Sequence, residues 1–267
     1  MKFFDTQNQR LVFIKQEATP DFWDKQWNID NFHKSIKSGR NERFVFPITS
    51  QYLPPNKQLK ILEGGCGKGN FVYSLATRGY DAYGIDFASE TIKKINAIVP
   101  ELKVSEADVR KLPFESNFFD GYWSLGVIEH FYEGYHEIAQ EIARVLKPGG
   151  YLFLTFPYMS PLRKIKAKLG YYPIFSKTEI APDNFYQFAL DHKKVADYFI
   201  QMEFDLIKQK PFEGFKGMKD ESFPLLKRLL QKIYDNKSMM ARIIDFLLSH
   251  IFAPVSGHAI LLVLRKR

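Results

Sequence analysis

The stretch Ile61-Leu62-Glu63-Gly64-Gly65-Cys66-Gly67-Lys68-Gly69-Asn70 sets four glycines within six positions, directly behind an apolar run. Glycine inside a regular element costs roughly 0.5–1 kcal/mol relative to alanine. Such a density marks a place where the backbone turns sharply or comes close to something else. The run before it, 59–64, reads as a buried strand. The segment after it, 70–79, reads as a helix that Gly79 closes at its C-cap. A strand, a glycine turn and a helix in that order restrict the chain to folds of parallel strands joined by crossover helices.

The middle of the chain repeats this rhythm. Strands are predicted at 80–86, 102–108, 117–126 and 151–157. A helix is predicted at 89–99, with Ser89 at its N-cap and Pro100 just past its end. Another is predicted at 135–147, where Ile138, Ile142, Val145 and Leu146 share one face. The whole predicts an α/β protein with a doubly wound, mostly parallel sheet. With 267 residues, 45% of them hydrophobic, the chain is long enough for one large domain or a domain with an insertion. The single cysteine, Cys66, excludes a disulfide framework and a cysteine-rich metal site. The charged, broken start of the chain reads as cytoplasmic.

In such sheets ligands bind beyond the carboxyl ends of the strands, and the glycine turn lies at that edge. Its spacing is Glu63-x-Gly65-x-Gly67-x-Gly69, and Asn70 stands where a dinucleotide fingerprint needs its last glycine. Glu63 would repel a pyrophosphate but suits a ligand with an ammonium or sulfonium group. Asp86 ends the second strand, where an acid accepts the hydroxyls of a ribose. Asp108 ends the third and is placed to accept from an adenine amino group, with the Val109 backbone N–H meeting a ring nitrogen. Together these residues describe a pocket for a nucleoside carrying an amino-acid tail.

At this point the chain resembles the class I S-adenosylmethionine-dependent methyltransferases. LEGGCGKG matches the first motif of the family, GID the second, ADVRKLPF the adenine motif, FFDGYWSLGVIEHF the fourth-strand motif, and VLKPGGYLFLTFP the helix–turn–strand that follows. The resemblance covers roughly residues 59–157. It implies a Rossmann-like seven-stranded sheet with the last strand antiparallel, strands six and seven falling at 203–212 and 257–266 and the last large helix at 191–202. It implies S-adenosylmethionine as cofactor, held by Glu63, Gly65, Cys66, Gly67, Gly69, Asp86, Phe87, Asp108, Val109 and Leu125. His130, just past the fourth strand, is the candidate general base; the alternative is that it only shapes the pocket. Some quinone O-methyltransferases hold a metal here with Glu-x-x-Glu-His. This chain keeps Glu129 and His130 but has Gly126 at the first acid, so no metal is expected. The N-terminal DFWDKQW resembles the aromatic segment that covers the cofactor, and Trp23 and Trp27 would share one face of a helix.

Absences narrow the acceptor. The Asn/Asp-Pro-Pro-Tyr/Phe run that methylates planar amino nitrogens is replaced by Ser124-Leu125-Gly126-Val127, and Cys66 is not available as a nucleophile for carbon methylation. The expected function is transfer of a methyl group to an oxygen or nitrogen of a small-molecule, sugar or lipid-linked acceptor. The alternatives are an RNA methyltransferase, for which no separate RNA-binding module is visible, and a non-enzymatic S-adenosylmethionine-binding protein.

The organisation expected is an N-terminal helical cap over 1–58, a core over 59–212, a helical insertion over 213–256 and the final strand over 257–267. The net charge of +8 is uneven: +4 over 1–60, −4 over 61–150 and +8 over 151–267. Within the insertion, Leu225, Leu226, Leu229, Leu230 and Ile233 recur at helical spacing, as do Ile243, Ile244, Leu247, Leu248 and Ile251. Two amphipathic helices are therefore predicted. Asp245, His250, Pro254 and Gly257 argue against a membrane span. A pair packed on the sheet edge, a lid, a dimer face and a surface resting on the inner face of an anionic membrane remain open.

Overall fold

A computed structural model describes residues 1–14, 19–27, 32–176, 184–236 and 238–267. Ten strands are present among them: β1 Lys2–Asp5, β2 Arg10–Ile14, β3 Lys60–Gly64, β4 Asp81–Asp86, β5 Lys103–Glu106, β6 Phe119–Leu125, β7 Leu146–Pro157, β8 Phe185–Ala189, β9 Phe204–Phe212 and β10 Ala259–Lys266. The helices are α1 Pro20–Trp27, α2 Phe32–Ser38, α3 Val45–Tyr52, α4 Asn70–Thr77, α5 Ser89–Ile98, α6 His136–Val145, α7 Pro161–Lys168, α8 His192–Gln201, α9 Gly214–Glu221, α10 Pro224–Asp235 and α11 Met239–Ser256.

Seven strands form one sheet in the order β5-β4-β3-β6-β7-β10-β9. β3 pairs parallel with both β4 and β6, and β4 with β5, while the last strand runs antiparallel. This is the Rossmann-like methyltransferase arrangement expected from the motifs. The apolar period explains the layers: α6 buries Ile138, Ala139, Ile142 and Val145 along one stripe, and β3 is buried from Ile61 to Gly64.

The chain divides into two compact units. The first comprises residues 17–154, 199–207 and 263–267. Its core holds Ile61, Leu62, Ile85, Tyr122 and Trp123, and the Trp123 indole N–H donates to Thr49 Oγ1 at 2.8 Å. The second comprises 1–16, 155–198 and 208–262. It contains a small antiparallel sheet, β1-β2-β8. It also contains a buried carboxylate, Glu221, which accepts from Lys2 Nζ at 2.7 Å, Arg163 Nε at 3.0 Å and Tyr172 Oη at 2.7 Å. Burial alone would raise Glu221, but the Lys2 and Arg163 charges outweigh it and hold the acid down at about 2.

The structure corrects one expectation. Residues 2–14 fall in the segment expected to be helical, yet they form a hairpin. The cause is local: Asp5 accepts the Asn8 backbone N–H at 3.0 Å and the Arg10 Nε at 3.0 Å, and Gln9 takes a positive φ of 57°. That side-chain turn reverses the chain. The short apolar runs on either side then pair, Phe4 opposite Leu11 and Phe3 opposite Val12.

Candidate active site

Parallel register brings the candidate residues to one edge. Gly64 lies opposite Ile85 on β4 and Ser124 on β6, and Asp86 lies opposite Glu106 on β5. The turns after β3, β4, β5 and β6 therefore leave the sheet together, carrying Gly65–Gly69, Phe87, Asp108–Val109 and Gly126–His130.

The glycine turn is held from beneath. The backbone N–H groups of Gly65 and Cys66 both donate to the Ile85 carbonyl, at 2.8 and 2.9 Å. Gly65, Gly67 and Gly69 have φ of 77°, 49° and 69°, in the region only glycine enters without strain. A Cβ on Gly65 would sit 2.5 Å from Val127 Cγ2. Asp86 clamps the same turn. Its Oδ2 accepts the Gly67 N–H at 2.8 Å and its Oδ1 the Ala88 N–H at 2.9 Å. Burial raises Asp86 above the usual carboxylate range, and these two amides only partly offset it. Each oxygen keeps a further lone pair, so the acid that was expected to read a ribose also fastens the loop.

Glu63 is buried beneath this turn, and its Oε2 has no hydrogen-bond partner among the described residues. Burial, with the Asp86 charge beside it, pushes Glu63 well above the ordinary range. A buried acid left one partner short, next to a second acid, is a place where a cation is welcome. Cys66 is buried and its thiol pushed up, which suits a loop wall and not a nucleophile.

At the next turn Asp108 does not stand alone. Arg110 grips it, Nη2 to Oδ2 at 2.6 Å and Nε to Oδ1 at 3.1 Å, and the Arg110 backbone N–H donates to Oδ1 at 2.8 Å. Burial would raise Asp108, but these bonds hold it below its usual value. The Arg110 guanidinium also lies 5.3 Å from the centre of the Phe131 ring, which joins the turns after β5 and β6. Val109 is buried, Leu125 half-buried and Phe87 exposed.

After β6 the chain makes a short 3-10 turn, Ile128–His130. His130 meets the Trp23 ring edge-on, centroids 5.1 Å apart. Trp23 stacks on Trp27 at 5.5 Å, so the two tryptophans share a helix face as their spacing predicts. Trp27 lies over the glycine turn, its Cε2 3.1 Å from where a Gly67 Cβ would stand. α1 is pinned there by Asp24, whose Oδ1 accepts the Thr91 N–H at 2.8 Å and the Thr91 hydroxyl at 2.7 Å in the first turn of α5. An acid at a helix N-terminus meets both unpaired amides and a favourable dipole.

Three functional candidates escape the sequence reading: Arg110, Asp24 and Glu129. The first two had a signal, since Arg110 stands two residues after Asp108 and Asp24 lies between the tryptophans. Glu129 was weighed only as a metal ligand. It is buried, its Oε2 has no partner among the described residues, and burial raises it to about 8. Among the described residues, no three His, Cys, Asp or Glu side chains converge as a metal site.

This geometry fits a cationic, amino-acid-bearing nucleoside: a loop in which every second residue is glycine, a buried acid one partner short among the described residues, and acids at or just past the two following strand ends. Residues 62–154 match the family described as methyltransferase domain. The chain is 30% identical over 109 residues to the ubiquinone biosynthesis O-methyltransferase of Paracidovorax citrulli, covering 39% of this chain and 45% of that one. It is 30% identical over 151 residues to the 27-O-demethylrifamycin SV methyltransferase of Amycolatopsis mediterranei, covering 52% and 55%. The chain thus spans about half the length of these curated relatives. An S-adenosylmethionine-dependent methyltransferase from Mesorhizobium loti has the same fold, with a TM-score of 0.57 and 15% identity over 85% of this chain and 100% of that one.

Proposed function

We infer that this class I S-adenosylmethionine-dependent methyltransferase transfers a methyl group to an oxygen or nitrogen of a small-molecule, sugar or lipid-linked acceptor. S-adenosylmethionine is the cofactor of the family, and it supplies an activated methyl on a sulfonium. The observation that carries the reading is the turn of three left-handed glycines, closed by Asp86 and underlain by the buried Glu63. Glu63, whose charge burial disfavours, gains in the ammonium side of the cofactor a cation that stabilises its ionised form. Asp86 keeps lone pairs for the ribose, and Asp108, oriented by Arg110, meets the adenine edge.

The tasks left to the chain are orientation and, for a hydroxyl acceptor, removal of a proton. Orientation and proximity are worth roughly 7–11 kcal/mol in such displacements. The relatives named above include two that act on oxygen, which supports an acceptor of that kind. His130 is the residue at this edge suited to take a proton near neutrality.

The test uses methyl-labelled cofactor, the full chain and cell extract fractionated into lipid, polysaccharide, RNA, protein and small molecules. Label in the small-molecule, polysaccharide or lipid fraction supports the reading, and label in RNA or in none of them defeats it. With the acceptor in hand, His130→Ala should lower kcat while S-adenosylhomocysteine affinity by calorimetry stays as in wild type. A parallel fall in affinity assigns His130 to the pocket instead.

A further inference from the structure

The two helices that end the insertion are turned inside out. α11 is fixed to α9 by its small and polar side. Its buried residues are Ala241, Ala253 and Ser256, and Ser256 Oγ donates to the Gly214 carbonyl at 2.9 Å. The approach is so close that a Cβ on Gly217 would strike the Ser256 carbonyl and one on Gly214 would lie 2.3 Å from Ala253 N. At about 100° per residue, Asp245 and Ser249 fall on this same inward side. The opposite half of α11 carries Ile243, Phe246, Leu247, Ile251 and Val255, with Phe246 61% and Ile251 66% exposed. α10 buries no residue at all, and Leu225 on its apolar stripe is 83% exposed. A surface helix of a soluble domain turns this stripe inward. The surface continues at Tyr171, whose ring lies 6.4 Å from that of Phe223 just before α10.

From this we propose that α10 and α11 seat the protein on an anionic membrane, lying in the plane of the interface with their apolar stripes in the acyl boundary. Charge selects this occupant. By sequence, α10 carries Lys227, Arg228 and Lys232 against the single acid Asp235, while Arg242 and Asp245 of α11 fall toward the same inward side and offset each other. Basic side chains beside an apolar stripe match anionic headgroups. A second copy would bring an equally cationic surface against this one, with no excess of acids to meet it. α11 is 18 residues long and apolar enough by composition to cross a bilayer, but its C-terminal end passes through Gly257 and His258 straight into β10. Its inward side is already committed to α9, so it lies on the bilayer and does not cross it. The inference stands apart from the identity of the methyl acceptor.

The full chain, without cofactor, is floated with preformed vesicles of phosphatidylcholine alone or mixed equally with phosphatidylglycerol. Binding to the anionic vesicles, weakened by raising salt, is expected. Leu225→Asp with Ile251→Asp should cut the bound fraction at least tenfold, and these exposed positions leave the fold intact by circular dichroism. Lys227→Glu with Arg228→Glu should remove the preference for anionic vesicles. No binding, equal binding to both vesicles, or a concentration-dependent dimer in ultracentrifugation that Leu225→Asp with Ile251→Asp dissolves would each overturn the proposal. The readout needs no turnover, so its failure is distinct from failure of the methyl-transfer reading.

Discussion

The turn after β3 and the pair α10–α11 break the usual partition of residues in opposite directions. At this edge of the sheet acids go inside: Glu63 on β3, Asp86 on β4 and Glu129 after β6 are all buried, and two of them hold an oxygen with no partner among the described residues. On α10–α11, leucines and isoleucines go outside and alanine and serine go in. Proteins depart from local consistency mainly where something outside the fold completes them. What is missing differs in kind. The buried acids call for donors or a cation within the fold, whereas the apolar stripes call for a surface. On the readings proposed above, one region takes a small ligand and the other meets an extended apolar phase.

The comparison breaks first if the glycine turn tolerates side chains. Gly65→Val forces a β-branched residue to positive φ and drives it into Val127. Strain of ~1–3 kcal/mol plus the clash should weaken S-adenosylhomocysteine binding by about 100-fold or more. Calorimetry reads it, with circular dichroism confirming the fold. Wild-type affinity would mean that the turn only joins β3 to α4.

Asp86→Ala should come next, at tenfold or more. Hydrogen bonds to a charged group are worth roughly 1.5–3 kcal/mol, and this acid holds two backbone amides as well as the proposed ribose contact. Asp86→Asn separates the jobs, because the amide oxygen still accepts one loop N–H. If Asn restores the thermal stability lost in Ala but not the affinity, the ligand contact is real. If it restores both, Asp86 serves the loop alone.

How legible all this was depends on which physical signal each feature leaves. β3 to β7 and α4 to α6 announce themselves through apolar period and Gly/Pro punctuation, and parallel register then puts Gly65, Asp86 and Asp108 at one edge. The β1–β2 hairpin depends on a side-chain turn at Asp5 and Asn8, and its runs are too short to show a period. β8 pairs with β2, a partner more than 170 residues away in sequence, so nothing near Phe185–Ala189 signals it. The period of α11 was visible, but a stripe says only that a helix has two sides. Which side faces the fold was decided by Gly214 and Gly217, thirty or more residues upstream. The burial of Glu129 depends on the direction of a single 3-10 turn, for which a sequence carries no period at all.

That burial gives a smaller, pH-dependent prediction, and it sharpens the account of the ligand side. The folded value of Glu129 is about 8, above its ordinary 4.5. As pH rises from 4.5 toward 8 the unfolded chain ionises at this position and the folded one does not, so the contribution of Glu129 to stability falls across that window. Glu129→Gln removes the titration. Its melting temperature should match wild type near pH 5 and exceed it near pH 8. Parallel curves for the two proteins would show that Glu129 finds a partner in solution, and the contrast would then rest on Glu63.

The smallest expected effect tests the other half of the contrast. If the outward residues of α10–α11 are indifferent to the fold, Phe246→Ser and Ile251→Ser should each change unfolding free energy by less than about 0.5 kcal/mol, as surface substitutions do. Leu62→Ala, at a fully buried position of β3, should cost roughly 2–5 kcal/mol. Denaturant titration of the three variants at low protein concentration makes the comparison, and the slope checks that all unfold alike. A loss approaching that of Leu62→Ala would mean that the stripe is covered within the isolated chain and needs no membrane. A loss near zero in both leaves Phe246 and Ile251 with no part in folding. Their presence must then be explained by what the helix meets outside the molecule.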